Sequence, residues 1–489
     1  MLLYAALAAI PLIWLFVAML ILRLPAYKAG VTALFLGILM AFIVWKISLP
    51  NVLYALREGV LLALYPILWV IFAAIFTYNL LEKSGAMNII KSIISNISTD
   101  KRVLTLVIAF AFGGFMESIA GFGTSVAIPL SILISLGFEP LLAAVICLTA
   151  NTIPVAFGVV GIPIITLVKV TGLPLGELTL YTALQLLPLV LVLPFFLVML
   201  TTGSVRGIRG AVAVTIVGGL SFAAGQTLIA WLIGPELSAI VGSLLALAAL
   251  LLWNRLFPTD SKDIYIINAV ITNYSIERVS LKAGLIAWSP YISMLILILA
   301  TRSLPSSLSF ITNPGSIIVI SAILGGLLQG LKISTIVNIA ACTIRQMLKT
   351  IATVTSLVSL SKVMGMSNMI HAISEAISYL TGGLFPLFSP LIGGLGTFLT
   401  GSDTSSNILF GELQKQTAIK IGSNASWIAA ANASGAAVGK MISPQSISIA
   451  TTAAALSGKE GNILARTIKF FVICIMVLGL LVYFIGKVI

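Results

Sequence analysis

Read by hydropathy alone, the chain is a succession of long apolar runs with short polar breaks. Residues 2–22, 31–45, 59–81, 178–200, 237–253 and 464–485 are nearly free of charge. A helix needs about 20 apolar residues to cross a bilayer core, and these runs are near that length. They predict an all-α polytopic membrane protein with no soluble domain long enough to stand alone.

The runs also pair. Residues 2–22 correspond to 281–301, 31–45 to 317–331, and 59–81 to 339–361. Short amphipathic segments follow each set, at 87–97 and 368–379. The polar interruptions repeat as well. Gly113-Gly114 is followed by Gly121-Phe122-Gly123-Thr124-Ser125, and Gly393-Gly394 by Gly401-Ser402-Asp403-Thr404-Ser405, at the same spacing. Asn151, Gly158 and Pro163 then match Asn432, Gly439 and Pro444.

A glycine-rich polar tip inside apolar sequence predicts a re-entrant hairpin, because irregular backbone at membrane depth must be covered by protein or a watery cavity. The chain therefore divides into repeat one (1–201; hairpin 101–137, broken helix 139–168), a linker helix pair with a cytoplasmic loop (202–280), and repeat two (281–489; hairpin 384–420, broken helix 424–455). Each repeat contributes five crossings and the linker two. The second repeat then enters from the opposite side, giving inverted repeats, about twelve transmembrane helices and two hairpins.

Only 8% of residues are charged, far below the roughly 25% of soluble domains, yet the net charge is +13. Nucleic acid is a poor explanation, because basic residues collect in cytoplasmic loops. On the predicted topology sixteen Lys and Arg fall on the face that holds the loop after the first helix, and eight on the other. That face is read as cytoplasmic, which puts both termini outside a cell membrane. The first helix has no basic stretch before it and reads as a retained helix. Cys147, Cys342 and Cys474 have no metal-ligand or disulfide spacing, and no cofactor is expected. Paired carboxylates or a His/Cys cluster, which a membrane enzyme would need, are missing from the pattern.

The candidate chemistry lies at the breaks. Thr400 to Asn407 is almost wholly polar or glycine, and its hydroxyls suit the capping of backbone N–H groups at a helix start. A helix N-terminus is also an anion site, so Ser402, Thr404, Ser405, Ser406 and Asn407 are candidate substrate ligands. The partner tip offers Gly121, Gly123, Thr124 and Ser125. The broken helices offer Asn151, Thr152, Asn432 and Ser434, placed where unwound backbone would free polar groups. Lys440 and Gln445 follow the second break. Intramembrane acids are functional candidates by default; Glu117 and Asp403 could each carry a proton. Lys440 could bind a substrate carboxylate or pair with an acid. Arg345 and Lys349 read as snorkelling cations near a helix start, and His371 as interfacial.

Four stretches resemble the lactate permease family: 113–128 (GGFMESIAGFGTSVAI), 147–163 (CLTANTIPVAFGVVGIP), 400–414 (TGSDTSSNILFGELQ) and 430–447 (AANASGAAVGKMISPQSI). The resemblance implies proton-coupled uptake of L-lactate and related 2-hydroxy acids such as D-lactate and glycolate. The family in turn resembles ion transporters with paired hairpins. That implies an elevator in which 101–201 and 384–489 move against a scaffold of 1–82, 211–257 and 281–361, and leaves room for a homodimer. A sodium-coupled mono- or dicarboxylate carrier of the same fold stays open, since Ser, Thr, Asn and carbonyl oxygens also suit sodium.

Overall fold

The computed structural model describes residues 2–22, 24–95, 98–121, 123–257, 265, 280–301, 313–456 and 459–488. Phe122 of the first tip and nearly all of the predicted cytoplasmic loop lie outside these residues. Among the described residues the chain is entirely helical, with no strand.

The first set of helices is α1 (Leu2–Phe16), α2 (Ala26–Ile43), α3 (Leu49–Leu62), α4 (Trp69–Ser84) and α5 (Ala86–Ser95). α3 and α4 follow one path, kinked where Tyr65 turns extended ahead of Pro66, as expected of a residue preceding proline. The first hairpin runs up through α6 (Lys101–Leu104), a wider-wound stretch (Thr105–Phe112) and α7 (Gly113–Ile119), and returns as α8 (Thr124–Ser135). α9 (Pro140–Ala150) and α10 (Gly158–Thr171) are the halves of the first broken helix, followed by α11 (Leu175–Thr202). α12 (Val212–Leu232) and α13 (Pro235–Leu256) form the linker.

The same order then recurs. α14 (Leu281–Thr301), α15 (Pro314–Leu328) and α16 (Ile333–Met366) lead to the short α17 (Met369–Thr381). The second hairpin is α18 (Phe385–Thr400) and α19 (Asp403–Lys420). The second broken helix is α20 (Ala425–Gly439) and α21 (Pro444–Ala453), and α22 (Glu460–Ile485) ends the described chain. Among the described residues twelve helical segments are long and apolar enough to cross a membrane. They are not the predicted twelve, since the set includes hairpin arms and omits the 15-residue α15.

Local chemistry explains the element ends. Asp100, Glu139, Asn313, Ser402 and Asn424 each accept backbone N–H bonds at the starts of helices. Gly85, Gly172, Gly203 and Gly401 close helices in the left-handed conformation. Arg102, expected to be a loop charge, is instead 1% exposed. It pairs with Asp100 at 2.7 Å and donates to the carbonyls of Gly207 and Arg209 at 3.1 and 2.9 Å.

The second helix break differs from expectation. Asn432 and Ser434 sit inside unbroken α20, and the chain leaves the helix only at Lys440–Ile442. The reason is visible in the aligned copies. The position that holds Pro154 in copy one holds Gly435 in copy two, so only the first is stopped there. In copy two the break waits for Pro444, which forces Ser443 into extended backbone at φ −61°, ψ 129°.

The hairpins pack crosswise. α19 of hairpin two lies against α10 of broken helix one, and α8 of hairpin one lies against α21 of broken helix two. Lys415 Nζ donates to the Thr171 carbonyl at 2.6 Å across the first of these seams. The linker pair α12 and α13 packs mainly on hairpin one, α10 and α11, not on the helices with which it was grouped as scaffold. α18 and α20 meet backbone to backbone: a Cβ at Gly435 would collide with the Pro390 carbonyl, and one at Gly439 with the Gly394 carbonyl. Such contact is the usual product of small residues between membrane helices. Gly435→Val should therefore lower stability by about 3 kcal/mol or more, at or above the upper range for overpacking. Gly461→Ala, where a Cβ meets nothing, should leave thermal unfolding in detergent unchanged.

Candidate functional site

All four broken elements converge on one cavity of about 440 Å³. Glu117 and Gly123 come from hairpin one, and Thr400 to Ser405 from the tip of hairpin two. Val155, Gly158 and Val159 come from the first break; Lys440, Gln445 and Ser446 come from the second. The opposite wall belongs to the first residues of α2, including Tyr27, and to Lys349, Thr350 and Thr353 of α16.

Tip two is shaped by three residues. Gly401 turns the chain at φ +73°, a conformation that costs glycine little, and a Cβ there would strike Gln445 Oε1. Ser402 is extended and its Oγ accepts the Ser405 N–H at 3.3 Å. Asp403 then opens α19, an 18-residue helix whose N-terminus favours negative charge. Asp403 is 2% exposed, and neither of its carboxylate oxygens makes a hydrogen bond among the described residues. Asn407, one turn on, lies near enough to polarise it but donates to the Pro163 carbonyl at 3.1 Å. Its charged neighbours are Lys440 and Glu117.

Glu117 is satisfied. Its Oε2 accepts from the Ser125 hydroxyl and its Oε1 lies 3.8 Å from Lys440 Nζ. Gly158 leaves room for the carboxylate, since a Cβ there would come within 3.1 Å of Oε1. Lys440 thus pairs across the repeats with Glu117, through a long contact that holds its charge at the cavity wall. Beside it Val159 and Val160 adopt positive φ (46° and 55°), followed by Gly161 at 76°. Left-handed valines are strained, and such strain persists only where surroundings impose it.

The remaining candidates lie off this cavity. Asn407, Asn432, Gln414 and Ser389 form a buried chain: Asn432 Nδ2 donates to Asn407 Oδ1 at 2.9 Å, Gln414 Nε2 to Asn432 Oδ1 at 3.2 Å, and Ser389 Oγ to Gln414 Oε1 at 2.8 Å. Ser406 Oγ donates to the Gly393 carbonyl at 2.8 Å, and Ser434 Oγ to Gln185 Oε1 at 2.9 Å. Thr124 Oγ1 donates to the Gly121 carbonyl at 2.8 Å, closing tip one. Gly121, at φ +55°, packs on Val159. Asn151 and Thr152 are buried, and their side chains have no hydrogen-bond partner among the described residues, nor has Thr149.

Three residues on the cavity wall, Tyr27, Thr350 and Thr353, escaped the sequence reading, since nothing in local sequence marks which face of a scaffold helix meets a hairpin. Lys349 was visible but misplaced. α16 runs from Ile333 to Met366, which puts Lys349 at mid-helix and on the cavity wall.

The buried amide chain yields a test. Asn407→Leu strips a donor from the Pro163 carbonyl and an acceptor from Asn432. The Pro163 carbonyl lies within α10, so the orphaned group is the Asn432 amide, at about 1–3 kcal/mol, and thermal unfolding should show a loss of that size. Leu at exposed Asn338 should cost little.

Residues 4–310 and 300–489 match the family model described as L-lactate permease. The chain is 40% identical over 450 residues to the L-lactate permease of Streptococcus iniae, covering 87% of this chain and 93% of that one. It is 33% identical over 530 residues to the L-lactate permease of Bacillus subtilis (strain 168), covering 96% and 93%. It is also 33% identical over 531 residues to the glycolate permease GlcA of Escherichia coli (strain K12), covering 98% and 94%. A structural likeness to the YdaH transporter of Alcanivorax borkumensis, with TM-score 0.37 and 13% identity over 80% of this chain and 85% of that one, is too loose to carry an argument.

Proposed function

The chain belongs to the L-lactate permease family, a family of transporters and not of enzymes, and from that premise we propose that it takes up L-lactate and related small 2-hydroxy monocarboxylates, D-lactate and glycolate among them, by proton symport across the cell membrane. The observation that carries the coupling is Asp403. It is a buried carboxylate on the cavity wall with no hydrogen bond among the described residues, so it can take up and release a proton without breaking an existing bond. Glu117 is already held by Ser125 and Lys440, so the proton role falls to Asp403.

The two ligands cooperate through charge. An ionised Asp403 occupies the field at the start of α19 and repels an incoming carboxylate. Once it is protonated, that N-terminus and Lys440 favour the substrate anion. The hydroxyls of Ser402, Thr404 and Ser405, with Gln445, are placed to take the substrate's hydroxyl and carboxylate oxygens. Proton and lactate then cross together without net charge. Movement follows from the inverted arrangement of the repeats: the hairpins and broken helices slide as a body against α2 to α4 and α14 to α16, and both termini lie outside.

One observation favours sodium as the coupling ion instead. The unpartnered buried oxygens of Thr149, Asn151 and Thr152 beside the first break are of the kind a sodium ion takes.

Reconstituted into proteoliposomes, the protein should accumulate labelled L-lactate under an inward proton gradient. Asp403→Asn should cut gradient-driven uptake about a hundredfold while retaining lactate–lactate exchange. Accumulation that ignores the proton gradient and follows sodium would overturn the coupling. Epitope tags at both termini should be reached by impermeant reagents from outside intact cells; labelling only after permeabilisation would overturn the orientation.

A further inference from the structure

We propose that Lys349 is the residue that makes the cavity accept an anion only together with a proton; this rests on the symport reading above. α16 is 34 residues long, about 51 Å at roughly 1.5 Å per residue, well beyond the roughly 30 Å bilayer core. Lys349 stands about 24 Å from either end by the same rise. The residue is exposed and lines the cavity. It shares one helical face with Thr350, Thr353 and Val354, and that face lines the cavity opposite tip two. The helix that carries it packs directly on α19, which Asp403 opens.

Charge arithmetic on the lining gives the role. Among the described residues four with formal charges line the cavity: Glu117, Asp403, Lys440 and Lys349. Lys440 lies 3.8 Å from Glu117 and is also a charged neighbour of Asp403. Lys349 has no acid within ion-pair distance among the described residues. With Asp403 ionised the lining is neutral overall and offers a carboxylate no net attraction. With Asp403 protonated the lining carries one net positive charge, the complement of one monocarboxylate. Without Lys349 the same two states would be negative and neutral, and neither would draw an anion in.

Other groups do not alter the sum. Tyr27 lines the cavity as well and is not counted among the formal charges. Arg345, one turn before Lys349, is exposed and off the cavity wall. Lys28, Arg57, Glu58, Glu82 and Lys83 on the helices packed against α16 are also off it. So are Lys362 on α16 itself, His371 and Glu375 on α17, and Lys420 on α19. Glu412 and Lys415 on α19 pair with each other at 3.5 Å.

The test is L-lactate exchange in proteoliposomes of the full chain, for wild type and for Lys349→Gln, Lys349→Arg, Asp403→Asn and the double variant Lys349→Gln/Asp403→Asn. Lys349→Gln should raise the KM for lactate about tenfold or more with the maximal exchange rate within about twofold, and Lys349→Arg should restore the wild-type KM. Asp403→Asn, whose lining is fixed at one positive charge, should show a KM independent of pH between 5.5 and 8. The double variant should lose that affinity by about tenfold. A change in rate without a change in KM, an arginine variant as poor as glutamine, or a double variant that binds as well as Asp403→Asn would overturn the role of Lys349. Should Lys349→Gln fail to fold, the arginine variant and the pH profile of Asp403→Asn decide: an impaired KM in the first, or a pH-dependent KM in the second, overturns the proposal. Wild-type protein that exchanges no lactate at all overturns the transport reading instead.

Discussion

Broken backbone inside a membrane has to be covered by protein, and this constraint organises the structure. Every tip and every break exposes N–H and C=O groups that lipid cannot satisfy. The chain meets the requirement by exchange between its copies. Hairpin two covers the first broken helix, with Asn407 and Lys415 reaching the carbonyls of Pro163 and Thr171. Hairpin one covers the second, with Gly123 seated on Ile449. The cavity is the space left where these four covered ends meet, so the proposed substrate site and the folding solution are the same feature.

The copies agree in order of elements and differ in chemistry. Glycines at matching positions do different jobs: Gly393 and Gly394 bring α18 onto the backbone of α20, whereas Gly114 faces Phe222 of the linker. Asn432 is locked into an amide chain, whereas its counterpart Asn151 has no partner among the described residues. Copy one supplies an acid already neutralised in place, Glu117. Copy two supplies both Lys440, which pairs with it at 3.8 Å, and Asp403, whose carboxylate makes no hydrogen bond or ion pair among the described residues. A recurring order of helices thus holds an asymmetric set of charges, as the proposed carriage of one anion with one proton requires.

Much of this was legible before any coordinates. Periodic apolar runs marked the helices, because membrane crossing imposes length, and the equal spacing of Gly113-Gly114 and Gly393-Gly394 pointed to two tight turns, because such turns favour glycine. The position of the second break was misread, because Asn432, Ser434 and Gly435 look like helix breakers in isolation. In the packed protein they are small residues that let two backbones touch, and Pro444 decides the break. The face of α16 was not readable either. Which of its residues meets a hairpin tip depends on how two distant segments dock, and no local pattern encodes that; hence Lys349 read as an end-of-helix cation while Thr350 and Thr353 went unmarked. The pairing of Lys440 with Glu117 is hidden for the same reason, being a contact between copies.

In the proposed transport cycle one proton crosses with each monocarboxylate because Asp403 must be neutral for the cavity to take an anion. The most direct measurement is the ratio of proton to L-lactate flux in proteoliposomes, read with an internal pH dye and labelled substrate while the membrane potential is clamped at different values. Electroneutral symport through Asp403 gives one proton per lactate and a flux that does not change with potential. A flux that moves net charge, or lactate entry with no accompanying proton, would contradict it.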